Sequence, residues 1–369
     1  MIKVLIVDDS VVTRRLLNDV LVADPRIQVV GSAANGAIAL QKLPLLEPDV
    51  VLLDVEMPDM DGIETVSRLR PHHPRLPVIM CSSLTERGAD VTLRALSAGA
   101  TDYVAKPSAS GQGLEAFKAE LTRKVVTLGE ASHGRFGTVR PQPSIAAPPP
   151  APVARLPVAR QRQTEVTALA IGCSTGGPNA LATLFEGLPR DLSVPVFITQ
   201  HMPPLFTKIL ADRLTASSGV TVVEARHEQV VEPGKVYVAP GDYHLRVGRD
   251  GTQVVVRLDQ EPPENSCRPA VDVMFRALAT VYGAGVLACV LTGMGSDGAR
   301  GARAIVESGG VVLAQSTATC VVPSMPKAVI EAGLAEKIVP LEAMADELLA
   351  RVRKPTTFGG RFAAPHREA

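Results

Sequence analysis

Residues Ala168–Pro178 read ALAIGCSTGGP: a small, wholly apolar run enters a glycine-flanked hydroxyl pair, Ser174 and Thr175, and then a helical pattern. A buried strand, a tight loop and a helix in that order form the βα unit of an α/β domain. The loop could be a phosphate cradle, a bare turn or the seat of a nucleophile. A cradle fits poorly, because the loop has neither a Gly-Lys-Ser/Thr ending nor G-x-G-x-x-G, and no lysine is near it. Gly172-Cys-Ser-Thr-Gly176 is instead a G-x-S-x-G between strand and helix, the setting of a nucleophile elbow. Small neighbours let a serine take a strained turn with its hydroxyl exposed and the N–H groups beyond it facing an anion. The motif also arises without a catalytic role, so by itself it leaves the bare turn open.

The same alternation extends in both directions. Upstream, KVLIVDD, QVVGSA, DVVLLDV, LPVIMCSS and DYVAKP are each followed by a helical pattern, which predicts a flavodoxin-like (βα)5 parallel sheet. Downstream of the quoted loop, VPVFITQ, GVLACVLTG and GVVLAQS read as buried strands separated by helices. A strand-rich insertion surrounds VYVAP and HLRVGRDGTQVVVRL, with Asp250-Gly251 as a hairpin turn. The second half is thus a doubly wound, mostly parallel α/β domain with a β-hairpin insertion. Between the halves, RPQPSIAAPPPAPVARLPVARQRQ lacks hydrophobic periodicity and reads as an extended linker. Its arginines Arg155, Arg160 and Arg162 read as solvated spacer charges. The expected division is a first domain at 1–122, a linker at 123–164, a second domain at 165–354 and a mobile tail at 355–369.

With 369 residues, two domains are the natural partition. Lys and Arg number 38, as do Asp and Glu, so the overall balance does not point to nucleic acid or an anionic membrane. The five cysteines are widely spaced, with no Cys-x-x-Cys pair, and read as buried thiols of a reducing compartment. The N-terminus reaches acidic residues too soon for a signal peptide, and no apolar run suffices to span a bilayer. A soluble, cytoplasmic, monomeric protein without membrane insertion is expected.

In parallel α/β sheets ligands bind beyond the carboxyl ends of the strands. The first domain ends its strands in Asp8-Asp9, Asp54, Ser82-Ser83 and Lys106-Pro107. Carboxylates meeting there repel one another unless a cation sits among them, and an oxygen-only set suits Mg2+. A lysine and a hydroxyl at the same edge complete a phosphoryl cradle. VLIVDDS, LLDVEMPDMDG and AGATDYVAKP resemble the receiver domain of two-component response regulators. The resemblance implies Asp54 as phosphoacceptor and Mg2+ held by Asp8, Asp9, Asp54 and the Glu56 backbone carbonyl. It also implies Ser82 and Lys106 reading the phosphoryl oxygens, Tyr103 as the reorienting aromatic, and a histidine kinase as phosphodonor.

A serine nucleophile needs a base, and the base an orienting acid. In the second domain the candidate bases are His201, His227 and His244. His201 directly follows the next parallel strand, VPVFITQ, and topology favours it. His227 follows a more polar segment, and His244 sits in the hairpin, where a surface position is expected. Asp297, just beyond GVLACVLTG and opening a helix, is a candidate acid and equally a helix cap. Glycines 293, 295 and 298 suggest a backbone that approaches something closely, with the Met294 amide free to face an oxyanion.

The order Ser, His, Asp differs from that of α/β-hydrolases. IGCSTGGP, TQHMPP, VAPGDYHL and LTGMGSDGARG resemble the catalytic domain of chemotaxis protein-glutamate methylesterases, the CheB family. The resemblance implies a catalytic triad of Ser174, His201 and Asp297, with Thr175 and Met294 around the oxyanion. The implied enzyme is a phosphorylation-activated hydrolase that demethylates glutamate methyl esters, and deamidates glutamines, on the cytoplasmic helices of methyl-accepting chemoreceptors. Its ester chemistry calls for no cofactor. A phospho-regulated esterase or receptor-binding module in a non-chemotactic pathway is the alternative.

Overall fold

The computed structural model describes residues 1–107, 113–133 and 165–352; the expected linker from residue 134 and the expected tail lie outside the described residues. The strands of the first domain are β1 (Ile2–Val7), β2 (Ile27–Ala33), β3 (Val50–Asp54), β4 (Val78–Ser82) and β5 (Asp102–Ala105). Its helices are α1 (Val11–Val22), α2 (Gly36–Leu46), α3 (Gly62–Leu69), α4 (Glu86–Ser97) and α5 (Leu114–Ser132). All pairings in this sheet are parallel, in the order β2-β1-β3-β4-β5. Every residue of β3 and β4 is buried, as expected of central strands covered by helices on both faces. Local side chains start the helices: Ser10, Asn35, Asp61 and Thr85 each accept a backbone N–H three residues on.

In the second domain β6 (Ala168–Cys173), β7 (Val196–Gln200), β8 (Val222–Glu224) and β9 (Val236–Val238) precede a hairpin of β10 (His244–Asp250) and β11 (Gln253–Asp259). β12 (Val286–Val290), β13 (Val311–Gln315) and β14 (Lys337–Val339) follow. The helices are α6 (Gly177–Glu186), α7 (Phe206–Ser218), α8 (Val271–Tyr282), α9 (Ala299–Glu307), α10 (Ser324–Glu331) and α11 (Leu341–Arg351). The seven-stranded sheet is parallel throughout, in the order β14-β13-β12-β6-β7-β9-β8. Because β6 is flanked by β7 on one side and β12 on the other, the chain reverses direction across the sheet there. The carboxyl edge at such a reversal is where open α/β sheets bind their ligands.

Three readings need correction. VYVAP enters the main sheet as β9, so only the β10–β11 hairpin stands apart from it. The boundary drawn at residue 122 falls inside α5, whose Val125 and Leu128 are buried and whose Gly129 lies against Ile2. An apolar stripe that continues along one helix keeps it in the core. His244 is not at the surface: it is 1% exposed because the base of the hairpin packs on α8, and its Nε2 bonds the Pro262 carbonyl at 3.2 Å.

The two domains share a packed interface. α4 lies against α6 and α7, and Tyr103 of β5 stacks on Phe206 at 4.7 Å between centroids. Asn179 donates to the Ala100 carbonyl at 3.1 Å and Arg213 to Ser97 Oγ at 2.8 Å. Tyr103, Leu96, Phe206 and Leu210 belong to one apolar cluster that crosses the boundary.

Candidate functional site

At the carboxyl edge of the first sheet, oxygens of Asp8, Asp9 and Asp54 lie within 4.8 Å of one another. Lys106 Nζ bridges Asp8 and Asp54 at 2.9 Å each. Burial raises the Asp54 carboxyl to about 6, with Lys106 pulling it down and Asp8 pushing it up. Three hard oxygen donors beside one lysine are chemically suited to Mg2+. Ser82 is buried, and its hydroxyl donates to the Gly88 carbonyl of α4 at 3.0 Å. Tyr103 is 4% exposed, held between Phe206 and Lys124 Nζ, which sits 5.0 Å over its ring. The Glu56 side chain pairs with Arg87 at 3.2 Å.

In the second domain β6 and β7 pair Cys173 with Gln200, and His201 N–H continues the ladder to the Cys173 carbonyl at 3.2 Å. Ser174 and His201 are therefore the next neighbours beyond the strand ends. Gln200 Nε2 donates to the Ser174 carbonyl at 3.0 Å and holds the elbow. Gly176 turns the chain at φ 77°, where a Cβ would lie 2.7 Å from Val321. From β12, the Thr292–Met294 loop crosses directly over the serine. A Cβ on Gly293 would come within 2.9 Å of Ser174 Cβ, so only glycine permits this approach. The Thr175 and Met294 N–H groups, both on buried residues, have no acceptor among the described residues. N–H groups without a protein acceptor at the carboxyl edge of a sheet can receive an anion.

His201 Nε2 and Asp297 Oδ2 are 2.8 Å apart. Asp297 is 2% exposed and also accepts from Val271 N–H at 2.6 Å, Asp272 N–H at 3.0 Å and Asn265 Nδ2 at 2.7 Å. The first two donors open α8, so a helix N-terminus faces the carboxylate. Burial would raise the Asp297 carboxyl, but His201 and these N–H groups more than offset it and hold it below the usual range. Burial would likewise lower His201, and its bonds to Asp297 and Cys267 outweigh that and raise it. Both partners thus shift toward an ion pair.

With Nε2 committed to Asp297, Nδ1 is the nitrogen left to serve as base. It lies 3.5 Å from Cys267 Sγ, and no hydrogen bond joins it to the Ser174 hydroxyl among the described residues. Resting sites often hold such contacts loosely and tighten them on substrate binding. Cys267 is only partly buried and belongs to the site, unlike Cys81, Cys173 and Cys289, which are the buried thiols expected. His227 is exposed and its Nδ1 accepts from Leu258 N–H; neither it nor His244 bonds Asp297 or Ser174.

Sequence reasoning missed Asn265, Cys267 and Gln200. Asn265 and Ser266 both have positive φ, 52° and 61°, between Glu264 and Cys267, whose N–H and C=O groups bond each other across the turn. That tight turn aims the Asn265 amide at Asp297 and the thiol at His201. Asn-Ser is a turn dipeptide, the one local signal available, and it carries no hint of what the turn faces.

The match to known proteins is extensive. Residues 4–118 match the model of the response regulator receiver domain, and residues 169–348 that of the CheB methylesterase. A protein-glutamate methylesterase/protein-glutamine glutaminase of a Nocardioides species is 51% identical, covering 96% of each chain. One from Pseudomonas aeruginosa is 44% identical, over 96% of this chain and 97% of that one. The Thermotoga maritima CheB methylesterase catalytic domain is 42% identical, covering 51% of this chain and 99% of that one, with a TM-score of 0.49. With relatives this similar over nearly its whole length, the chain belongs to the CheB family, which joins a response-regulator receiver to a methylesterase domain.

Proposed function

We propose that the protein is a phosphorylation-activated methylesterase and glutaminase acting on methylated glutamates, and on glutamines, of chemoreceptor cytoplasmic helices. The observation that carries this reading is that Ser174 and His201 follow adjacent paired strands, with His201 bonded to Asp297 and the neighbouring Thr175 and Met294 N–H groups without an acceptor among the described residues. In this reading His201 Nδ1 takes the proton of Ser174 as Oγ attacks the ester carbonyl, and the Thr175 and Met294 N–H groups receive the oxyanion. Imidazolium then protonates the departing methoxide, and methanol leaves. Water attacks the acyl-serine by the same route and releases glutamate and the free serine; from a glutamine side chain the first leaving group is ammonia. General-base assistance is worth about 10²–10⁴-fold and one oxyanion donor about 10²–10³-fold.

Asp54 is the proposed phosphoacceptor, a sensor histidine kinase its phosphodonor, and Asp8, Asp9, Asp54 and the Glu56 carbonyl the groups that would hold Mg2+. The ion would offset phosphoryl charge; Lys106 and Ser82 would orient the phosphoryl oxygens. Control reaches the site through α5, whose Arg123 guanidinium and Thr127 hydroxyl both address Met294 Sδ beside the proposed oxyanion site. Tyr103, stacked on Phe206, couples the phosphorylation edge to the same interface. Methanol release from methylated receptor fragments, measured with Mg2+ and a small phosphodonor, tests this. Wild type is expected to accelerate several-fold with the donor, Asp54→Asn to lose that response, and Arg123→Ala to be faster without donor. An Asp54→Asn protein that still responds would refute phospho-control through this residue.

Asn265 is a proposed positioning residue. Its Nδ2 bridges Asp297 and Asp272, at 2.7 and 2.9 Å, and relieves their repulsion. Asn265→Ala is expected to lower kcat about tenfold, of the order of one lost charged hydrogen bond, with KM little changed and the pH profile displaced. Asn265→Asp should be worse than alanine, because it adds a third carboxylate. Equal effects of the two substitutions, with an unmoved pH profile, would argue for a merely structural role.

A further inference from the structure

The bond that engages the proposed base in this structure does not come from the serine. His201 has a partner on each ring nitrogen: Asp297 Oδ2 lies 2.8 Å from Nε2, and Cys267 Sγ lies 3.5 Å from Nδ1. No hydrogen bond joins Nδ1 to the Ser174 hydroxyl among the described residues. With the Nε2 proton given to Asp297, sulfur and Nδ1 share one further proton. In the neutral pair the thiol donates it to Nδ1; in the ion pair Nδ1 carries it and donates to the thiolate. Either way the Nδ1 lone pair is occupied, and a base so occupied cannot take the serine proton.

Backbone geometry holds the thiol in that place. Glu264 and Cys267 exchange both of their N–H to C=O bonds, at 3.1 and 2.9 Å, across Asn265 and Ser266. The same turn sends Asn265 Nδ2 to Asp297 at 2.7 Å, so it addresses the acid and the base together. Ser174 arrives separately, from β6, with its own backbone bonds to Thr292 and Gln200. The ionisable groups around the imidazole are Asp297 and Cys267 in contact with it and, behind Asp297, Asp272 and Glu264 with Arg276 and Arg300; Arg123 of α5 addresses Met294. Burial would lower His201, and Asp297 and then Cys267 raise it by more. We propose that Cys267 is a positioning residue that holds Nδ1 of His201 off the Ser174 hydroxyl in the resting site and yields it when substrate enters. The shared proton then stays on sulfur, the Ser174 O–H takes the place of the thiol at Nδ1, and the serine proton passes to Nδ1 as Oγ bonds the ester carbon. The inference deepens the esterase reading above and rests on it.

The test compares full-length wild type with Cys267→Ala and Cys267→Val; valine fills much of the space of the thiol and neither donates nor accepts a hydrogen bond. Protein labelled with 15N-histidine is titrated by NMR, with His201 identified as the signal lost in His201→Gln. Across the same pH range, kcat/KM for methanol release is measured from methylated receptor fragments with Mg2+ and a phosphodonor. Both variants are expected to titrate His201 at lower pH than wild type, and at neutral pH to exceed its kcat/KM about twofold to tenfold, the worth of one modest hydrogen bond. Toward high pH, where the shared proton is gone and nothing joins sulfur to nitrogen, the three proteins should converge. An unmoved His201 titration overturns the inference, as does a moved titration with no gain in kcat/KM at neutral pH. Alanine slower than wild type at every pH, with valine at the wild-type rate, would be a packing role and also overturns it. Wild type that releases no methanol removes the esterase reading and the inference together; the other failures are read from variants of an active wild type, so the two kinds are told apart.

Discussion

Replacing Ser174 by alanine is expected to lower methanol release by about 10⁶, the loss seen when the nucleophile of a comparable triad is removed. The fold should survive the change. The Ser174 backbone keeps its bonds from N–H to the Thr292 carbonyl, at 3.0 Å, and from its carbonyl to Gln200, while only a partly exposed hydroxyl disappears. Thermal unfolding should accordingly stay within about 1 kcal/mol of wild type. A residual rate of about 10³–10⁴ over water is expected from oxyanion stabilisation and binding alone. A loss of only tenfold would sink the assignment and point to another nucleophile on the same base, with Cys267, 3.5 Å from His201 Nδ1, the first to examine.

Asp297→Asn is expected to cost about 10⁴ in kcat and to move the pH profile in a defined direction. Asp297 keeps the His201 proton on Nε2, which leaves Nδ1 as acceptor. An asparagine amide in its place must set an N–H against Val271 N–H, Asp272 N–H, the Asn265 amide or His201. Each donor left unsatisfied costs about 1–3 kcal/mol, so some loss of stability is also expected. The base works only when neutral. Because His201 is raised above its ordinary 6.5, wild-type kcat/KM should climb with pH along a limb centred above that value. Removing the anion withdraws the main support for imidazolium, so the limb of the variant should shift to lower pH. A kcat/KM profile with the same midpoint in both proteins would contradict the pairing.

Local sequence was sufficient wherever chemistry sits at the end of a strand. Asp8, Asp54 and Lys106 end the first, third and fifth apolar runs, and parallel strands in register bring their ends to one edge whatever the details of packing. Ser174 was readable because G-x-S-x-G between strand and helix has a local geometric cause. Topology alone favoured His201, since it follows the strand adjacent to the elbow. Sequence reading goes astray where a packing partner decides the outcome: a hairpin position predicts a surface His244, which α8 covers, and the boundary at residue 122 cuts α5 before its apolar stripe ends.

What the sequence by itself determined is the set of strand-end residues, because their placement follows from periodicity and from the direction of parallel strands. Only the tertiary structure decided which polar groups complete the site. Asn265 meets Asp297 across 32 positions, Cys267 meets His201 across 66, and Arg123 reaches Met294 from another domain across 171. No local pattern encodes such meetings. They arise when the 264–272 turn and α5 are packed against the site, where a buried carboxylate, a buried imidazole and a methionine loop take the partners that packing brings within reach.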